Sequence, residues 1–283
     1  MESYEYRGMM AAAWDLLRGD TSNWEDRFFY HDLIVRYGQP VLDVGCGTGR
    51  LLLDYLAQGI DIDGVDVSPE MLAICTEKAQ RLGLHPRVFE QVMQELDLPR
   101  TYRTIMVPSS SFQLLTDPRD AQESMQRFFR HLEPGGMLVM PFMLLWSGPT
   151  PQQIVQGTWE PNGEAVRTED GSTIRRWTRS TFDVAEQLES TEDRYEVLRN
   201  GAVVATETHV RSPATRWYTQ QQALHLYEEA GFTHIQIFKE FSQELASAEE
   251  TMFSIVGMKP LGWSRLSLAS LMYFCFCCFV AAC

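Results

Sequence analysis

The chain has 283 residues, 45% of them apolar and 22% charged, which suits one large domain or two small ones and argues against disorder or fibrous structure. Its 38 acidic and 24 basic residues give a formal net charge of −14, with lysine only at 78, 239 and 259, so the basic patch of a nucleic-acid binder is missing. Cys46 and Cys75 lie far apart and the other four of the six cysteines crowd into positions 275–283. That is no secreted disulfide framework, and it points to a reducing, cytoplasmic setting.

The N-terminus shows no basic stretch followed by an apolar run, so no signal peptide is expected. Residues 1–38 are read as helical. The segment from Tyr4 to Trp24 carries Tyr4, Tyr6, Trp14 and Trp24; it is either a lid over a site or an amphipathic helix lying on a sheet. From Gln39 short apolar runs alternate with helical patterns. Val41–Val44 reads as a strand, Thr48–Gln58 as a helix and Ile62–Val67 as a second strand. Ser68-Pro69-Glu70 opens a helix to about Leu82, because serine caps well and proline suits the first helical position. Arg87–Val92, Thr104–Val107 and Met137–Phe142 are further strands. Pro118–Leu132 is a helix stopped by Pro134-Gly135-Gly136. Alternation of this kind predicts a doubly wound, mostly parallel α/β sheet.

After Phe142 the pattern changes. A loop-rich passage with Pro149, Pro151, Gly157, Pro161 and Gly163 leads into polar alternating runs at Ser172–Arg179, Thr181–Glu189, Arg194–Leu198 and Ala202–Arg211. Asn200-Gly201 marks a hairpin between the last two. About 157–217 therefore reads as an antiparallel insertion after the fifth strand. The α/β pattern resumes with a helix over Tyr218–Ala230, capped by Gly231, and strands at His234–Phe238 and Met252–Met258. The domain so outlined spans 39–260. Beyond it, 261–283 form an apolar tail. Leu266–Cys283 has no charged residue and eighteen positions, the lower limit for a membrane helix. It is a tail anchor flanked by Arg265, or it has no function.

The chemistry-bearing segment is Val41-Leu-Asp-Val-Gly-Cys-Gly-Thr-Gly-Arg50. Gly45, Gly47 and Gly49 remove side chains from a turn between strand and helix, so a ligand can touch the main chain. Asp66, 21 positions after Gly45, stands at the end of the next strand, where a carboxylate can accept hydrogen bonds from a ribose diol. A dinucleotide fingerprint would need glycine where Arg50 stands. Asp43 repels pyrophosphate and suits a cationic amino-acid ligand. An NAD-type oxidoreductase is thus disfavoured.

VLDVGCGTG followed by GVDVSPEML resembles the class I S-adenosylmethionine-dependent methyltransferases, and LEPGGMLVMPF and YTQQQALHLYEEAGF resemble later blocks of that family. The resemblance covers roughly Tyr30 to Lys259 and is nearest to small-molecule enzymes of the sugar-amine and glycine type. It implies a seven-stranded Rossmann-like sheet and S-adenosyl-L-methionine as cofactor. Gly45, Gly47 and Gly49 would line the methionyl part, with Asp43 nearby. Asp66 would hold the ribose, and Val67 and Met71 would pack on adenine. Gln91-Val92-Met93 would reach its other face, with the Met93 amide replacing the acidic residue often found at Val92. Pro108 to Ser111 would flank the transferring methyl. The implied acceptor is a small molecule. The insertion is the largest addition to the sheet, so its aromatics Trp159, Trp177, Phe182, Tyr195, Trp217 and Tyr218 are expected as a group to hold the acceptor, and the want of a clear base or metal cluster favours nitrogen over oxygen. In such enzymes the insertion covers the site or joins two subunits. His131, His209 and His225 are the base candidates, none compelling, and no metal cluster is legible. A non-catalytic cofactor- or partner-binding module is the alternative.

Overall fold

The computed structural model describes residues 6–151 and 153–261; the tail reading at 266–283 lies outside them. Three helices lead in: α1 (Gly8–Ala12), α2 (Trp14–Arg18) and α3 (Glu25–Tyr37). Then come β1 (Val41–Val44), α4 (Arg50–Ala57), β2 (Ile62–Asp66), α5 (Pro69–Leu82), β3 (Arg87–Glu90), β4 (Tyr102–Met106), α6 (Pro118–His131) and β5 (Leu132–Met143). Next are β6 (Val155–Gln156), β7 (Glu160–Val166), β8 (Thr173–Asp183), β9 (Leu188–Arg199) and β10 (Ala202–Arg216). The described chain closes with α7 (Gln220–Ala230), β11 (Thr233–Lys239) and β12 (Met252–Met258).

Local chemistry explains most boundaries. Ser68 accepts a hydrogen bond from the Met71 amide at the start of α5, with Pro69 behind it, and Asp117 does the same for Arg119 ahead of Pro118 in α6. Thr219 and Gln222 form a reciprocal capping box that starts α7. Gly231, at φ +95°, ends it.

Among the described residues, seven strands form the main sheet in the order β11-β12-β5-β4-β1-β2-β3. The pairs among β5, β4, β1, β2 and β3 are parallel, while β12 runs antiparallel to both β5 and β11. This is the doubly wound sheet that the alternation predicts. Side chains alternate between two cores. Leu42, Val44, Leu138 and Met140 pack with α6 and α7 through Met125, Phe128 and Tyr227. Val41, Met137 and Val139 face the other way, onto α3, α4 and α5 through Phe29, Leu33, Leu52 and Cys75. Each large apolar side chain so buried contributes about 1.5–3 kcal/mol.

The insertion forms a second, antiparallel sheet, order β10-β9-β8-β6 with β7 on β8. Three expectations need correction. The break expected at Ser180 is absent: β8 runs unbroken to Asp183, with Ser180 paired to Thr191, and the chain reverses at Val184–Gln187 instead. The loop-rich passage before Ser172 contains β6 and β7. The Pro134-Gly135-Gly136 stop lies inside β5, which starts directly after α6. The Asn200-Gly201 hairpin is as predicted, with both residues at positive φ (50° and 79°). One face of this sheet is covered by the N-terminal helices: Met10 and Ala13 pack on Ile174, Tyr195 and Val197. Of residues 1–38, α3 belongs to the main core, while the segment from Tyr6 to Arg18 forms a strap over the glycine turn.

Candidate functional site

A cavity of about 720 Å³ runs along the carboxyl edge of the main sheet, where open α/β sheets bind ligands. Its lining includes residues just beyond five consecutive strands: Gln91 after β3, Asp66 ending β2, Gly45 after β1, Pro108 after β4 and Met143 ending β5. The strand order therefore sets one end at β3 and the other at β5.

The turn after β1 is built for backbone approach. Gly45 has φ +73°, and a Cβ there would stand 2.8 Å from Ser111 Oγ, so the space above it stays open only for glycine. Gly47 has φ +54° and its amide donates to Asp66 Oδ2 at 2.8 Å. Ser68 N–H donates to Asp66 Oδ1 at 2.9 Å. Both carboxylate oxygens are thus oriented by amides and keep further accepting capacity. Burial pushes the Asp66 carboxyl up, against the pull of these amides. Val67, Met71 and Met93 line the same region.

Asp43, 2% exposed, lies beneath the turn with its Oδ1 unpartnered. Burial pushes its carboxyl up to about 7, with Arg50 pulling the other way. Arg50 itself is bound by Asp26, both side chains nearly buried at 14% and 6% exposure, and its guanidinium sits 5.0 Å from the Trp24 ring. The residue that defeats the dinucleotide fingerprint is therefore an anchor for α3 at the cavity wall.

Asp43, Gly45, Gly47, Asp66, Val67, Met71, Met93 and Pro108 all line the cavity. Gly49 does not. A Cβ there would meet Cys75 Sγ at 2.6 Å and Leu53 Cγ at 2.9 Å, so this glycine serves the packing of α4 on α5. Cys46 and Cys75 are buried; burial pushes the Cys75 thiol up to about 11 and the Cys46 thiol higher than usual, which leaves both inert.

The strap closes the front. Tyr6, Trp14 and Arg18 line the cavity. Gly8 N–H donates to Glu70 Oε2 at 2.7 Å, Met9 N–H to Glu207 Oε1 at 2.9 Å, and Ser68 Oγ to the Tyr6 carbonyl. Asp15 accepts from Thr48 Oγ1 at 2.6 Å and pairs with Lys78 at 2.9 Å. Carboxylates on α5, β10 and the strap itself thus hold it down.

The insertion aromatics do not reach the cavity. Phe182 packs between Trp146 and Trp217, and Tyr218 joins Phe112 and Phe142 in the main core. Tyr195 is buried under α1. Trp159 and Trp177 are stacked with Arg179 and Arg194. What the insertion contributes to the lining is Glu189, Arg211 and Thr215, and Leu115, Asp117, Asp120 and Leu145 line the same cavity; Arg211 sits 5.8 Å from the Tyr6 ring of the strap. Burial and the neighbouring Asp117 and Glu95 hold the Asp120 carboxyl above its usual range. None of the three base candidates lines the cavity. His131 Nε2 accepts from Leu98 N–H at 3.0 Å, His209 is bound to Glu207 at 2.6 Å beneath the strap, and His225 is exposed beside Glu228 and Glu229. Among the described residues there is also no cluster able to hold a metal.

Residues 41–136 match the family described as "Methyltransferase domain", and the whole described chain has the fold of S-adenosylmethionine-dependent methyltransferases. A crystal structure of such an enzyme from Clostridium acetobutylicum ATCC 824 superposes with a TM-score of 0.69 at 18% identity, covering 88% of this chain and 96% of that one. A putative methyltransferase of Geobacillus sp. (strain WCH70) is 30% identical over 39% of this chain and 47% of its own. The Streptomyces fradiae dTDP-3-amino-3,6-dideoxy-alpha-D-glucopyranose N,N-dimethyltransferase is 27% identical over 57% of this chain and 64% of its own. The chain thus aligns with less than two thirds of the length of either relative.

Proposed function

We propose that the chain is an S-adenosylmethionine-dependent methyltransferase for a small-molecule acceptor, with an amine nitrogen preferred over oxygen. The observation that carries this reading is the pairing of an open cradle at Gly45 with the amide-oriented carboxylate of Asp66 in one cavity. These residues fit an adenosyl amino acid. Gly45 and Gly47 receive the methionyl chain, Asp43 lies near it, and Asp66 accepts from the ribose hydroxyls. Val67, Met71 and Met93 offer apolar faces to adenine, and Pro108 borders the reacting region. When bound, the cofactor supplies an electrophilic methyl on a sulfonium with a neutral leaving group.

The protein's task is then to align the acceptor, and orientation is worth up to roughly 7–11 kcal/mol. A neutral amine needs no base before attack, whereas a hydroxyl does, and no histidine lines the cavity among the described residues. Asp117, Asp120 and Glu189 at the β5 end favour an acceptor that carries an amine; where it arrives protonated, one of these carboxylates takes the ammonium proton before the freed nitrogen attacks. The relative from Streptomyces fradiae is named for an amino sugar, which supports the same acceptor class here.

The insertion face with Trp159 and Trp177 is our assignment for a homodimer contact, to be tested by sedimentation. Among the described residues no helix is long and apolar enough to cross a membrane; a cytoplasmic location is our reading of the sequence. Calorimetry tests the core of the proposal: S-adenosylmethionine and S-adenosylhomocysteine should bind at micromolar levels and NAD should not. Heat with NAD, and none with either sulfur ligand, would overturn it.

A further inference from the structure

Charge is unevenly spread along the cavity. At the β5 end its carboxylates are Asp117, Asp120 and Glu189, and the cation near them is Arg211. Arg211 is already engaged, by the buried Asp193 at 3.2 Å and by the Tyr6 ring 5.8 Å away. Two of the three carboxylates are fixed with an oxygen to spare. Asp117 caps α6 by accepting from Arg119 N–H at 2.9 Å, and Glu189 Oε1 accepts from Ser180 Oγ at 2.7 Å between β9 and β8. Asp120, in the first turn of α6, is different. The charged groups around its carboxyl are Asp117 and Glu95, both negative, so it stands where a cation is wanted and the chain supplies none.

A phosphate finds no seat at this end. Helix N-termini gather phosphates through their free amides, and α6 opens here. Its start is taken, because Pro118 has no N–H to give and the Asp117 carboxylate occupies the Arg119 amide. A diphosphate would also bring its charges beside three carboxylates, against one guanidinium that Asp193 already holds. An ammonium meets the reverse arrangement: three carboxylates, each with an oxygen free to accept. Leu114, Leu115, Met143 and Leu145 line the same cavity and offer an apolar wall to a carbon frame. Resting on the methyl-transfer reading above, we propose that the acceptor is an amine on an apolar frame, bound through its ammonium by Asp120 and Glu189, and that it carries no phosphate. Amines linked to a nucleoside diphosphate then fall outside the acceptor class, and an amino sugar fits only without its phosphate.

The test is calorimetry on the full chain saturated with S-adenosylhomocysteine. The probes are cyclohexylamine, its neutral counterpart cyclohexanol, cyclohexyl phosphate and thymidine diphosphate. The amine should bind about 5- to 30-fold more tightly than the alcohol, as expected for a charge-assisted hydrogen bond partly open to water, and neither phosphate should displace it. Asp120→Asn and Glu189→Gln keep the shape and remove a charge. Each should cut the preference for the amine by about threefold and the double variant should abolish it, while affinity for S-adenosylhomocysteine stays within about twofold and so reports an intact fold. Equal binding of amine and alcohol, a preference untouched by both substitutions, or tighter binding of either phosphate probe overturns the proposal. A wild-type chain that takes up no S-adenosylhomocysteine overturns the cofactor reading instead; the same four probes on the unloaded chain, compared between wild type and the two variants, then still decide the charge preference of this end.

Discussion

Asp43→Asn separates the electrostatics of the site from its shape. The carboxyl is buried, has an unpartnered oxygen and is pushed up to about 7 from 3.8. Below about pH 4 it is protonated in both the folded and unfolded chain and contributes no slope. Between about pH 4 and 7 the unfolded chain ionises while the folded one resists, so stability falls as pH rises. Above about pH 7 the penalty is complete, about 4 kcal/mol at most when the whole shift is converted. The substituted amide keeps the volume and an acceptor oxygen and never ionises. The melting temperatures of variant and wild type should be close at about pH 4; the variant should already be higher at pH 5 and more so by pH 8, by up to roughly 8–16 °C at about 2–4 °C per kcal/mol for a chain of this size. Differential scanning fluorimetry across that range without ligand is sufficient, because other carboxylates titrate alike in both proteins. A variant less stable than wild type at pH 8, or a difference independent of pH, would refute the argument and show that Arg50 compensates the buried charge fully.

Asp66→Ala removes the acceptor for the Gly47 and Ser68 amides together with the proposed ribose contacts; S-adenosylhomocysteine should bind at least tenfold more weakly, at about 1.5–3 kcal/mol per charge-assisted bond, while cooperative melting persists. Gly45→Ala drives a Cβ towards Ser111 at positive φ; the strain of about 1–2 kcal/mol and the filled cradle should cut affinity by a similar or larger factor, measured by the same titration. Replacing residues 157–211 by a Gly/Ser loop should weaken cofactor binding as well as abolish turnover, because Ile174, Tyr195 and Val197 carry the strap; cofactor affinity within a few-fold of wild type would show that the strap docks without them. A chain ending at Pro260 should fold and bind cofactor, since β12 ends at Met258 and Lys259 is already tied to the Phe129 and Leu132 carbonyls; loss of a cooperative melt would assign the following residues to the core.

The glycine-turn end of the cavity is legible in the sequence because its residues act through sequence-local rules. A strand, three glycines and a carboxylate at the end of the next strand leave one arrangement for the turn, and Asp43, Gly45, Gly47 and Asp66 line the cavity accordingly. Gly49 shows the limit of such rules: spacing makes it look like its neighbours, but its missing side chain is demanded by Cys75 and Leu53, which only the packed fold reveals. The other end of the cavity is not legible. Size and aromaticity pointed to Trp159, Trp177 and Phe182, which the second sheet uses for its own packing. The residues that reach the cavity, Glu189, Arg211 and Thr215, sit in alternating strands among many similar polar residues. Which face of a strand meets a ligand depends on register, and splitting one strand into runs on either side of Ser180 puts that register out of reach.

The strap explains why these two failures have one origin. An antiparallel insertion with one apolar stripe needs a cover, and α1 and α2 provide it through Met10 and Ala13. The same short helices present Tyr6, Trp14 and Arg18 to the cavity on their other side. Glu207 on β10 then fixes the strap where it crosses, and Asp15 fixes it to the glycine turn through Thr48. Insertion, strap and glycine turn are therefore joined by hydrogen bonds, although Met9 and Glu207 lie 198 positions apart in the sequence. A change to the insertion that shifts β10 is therefore expected to move the front wall of the cavity with it.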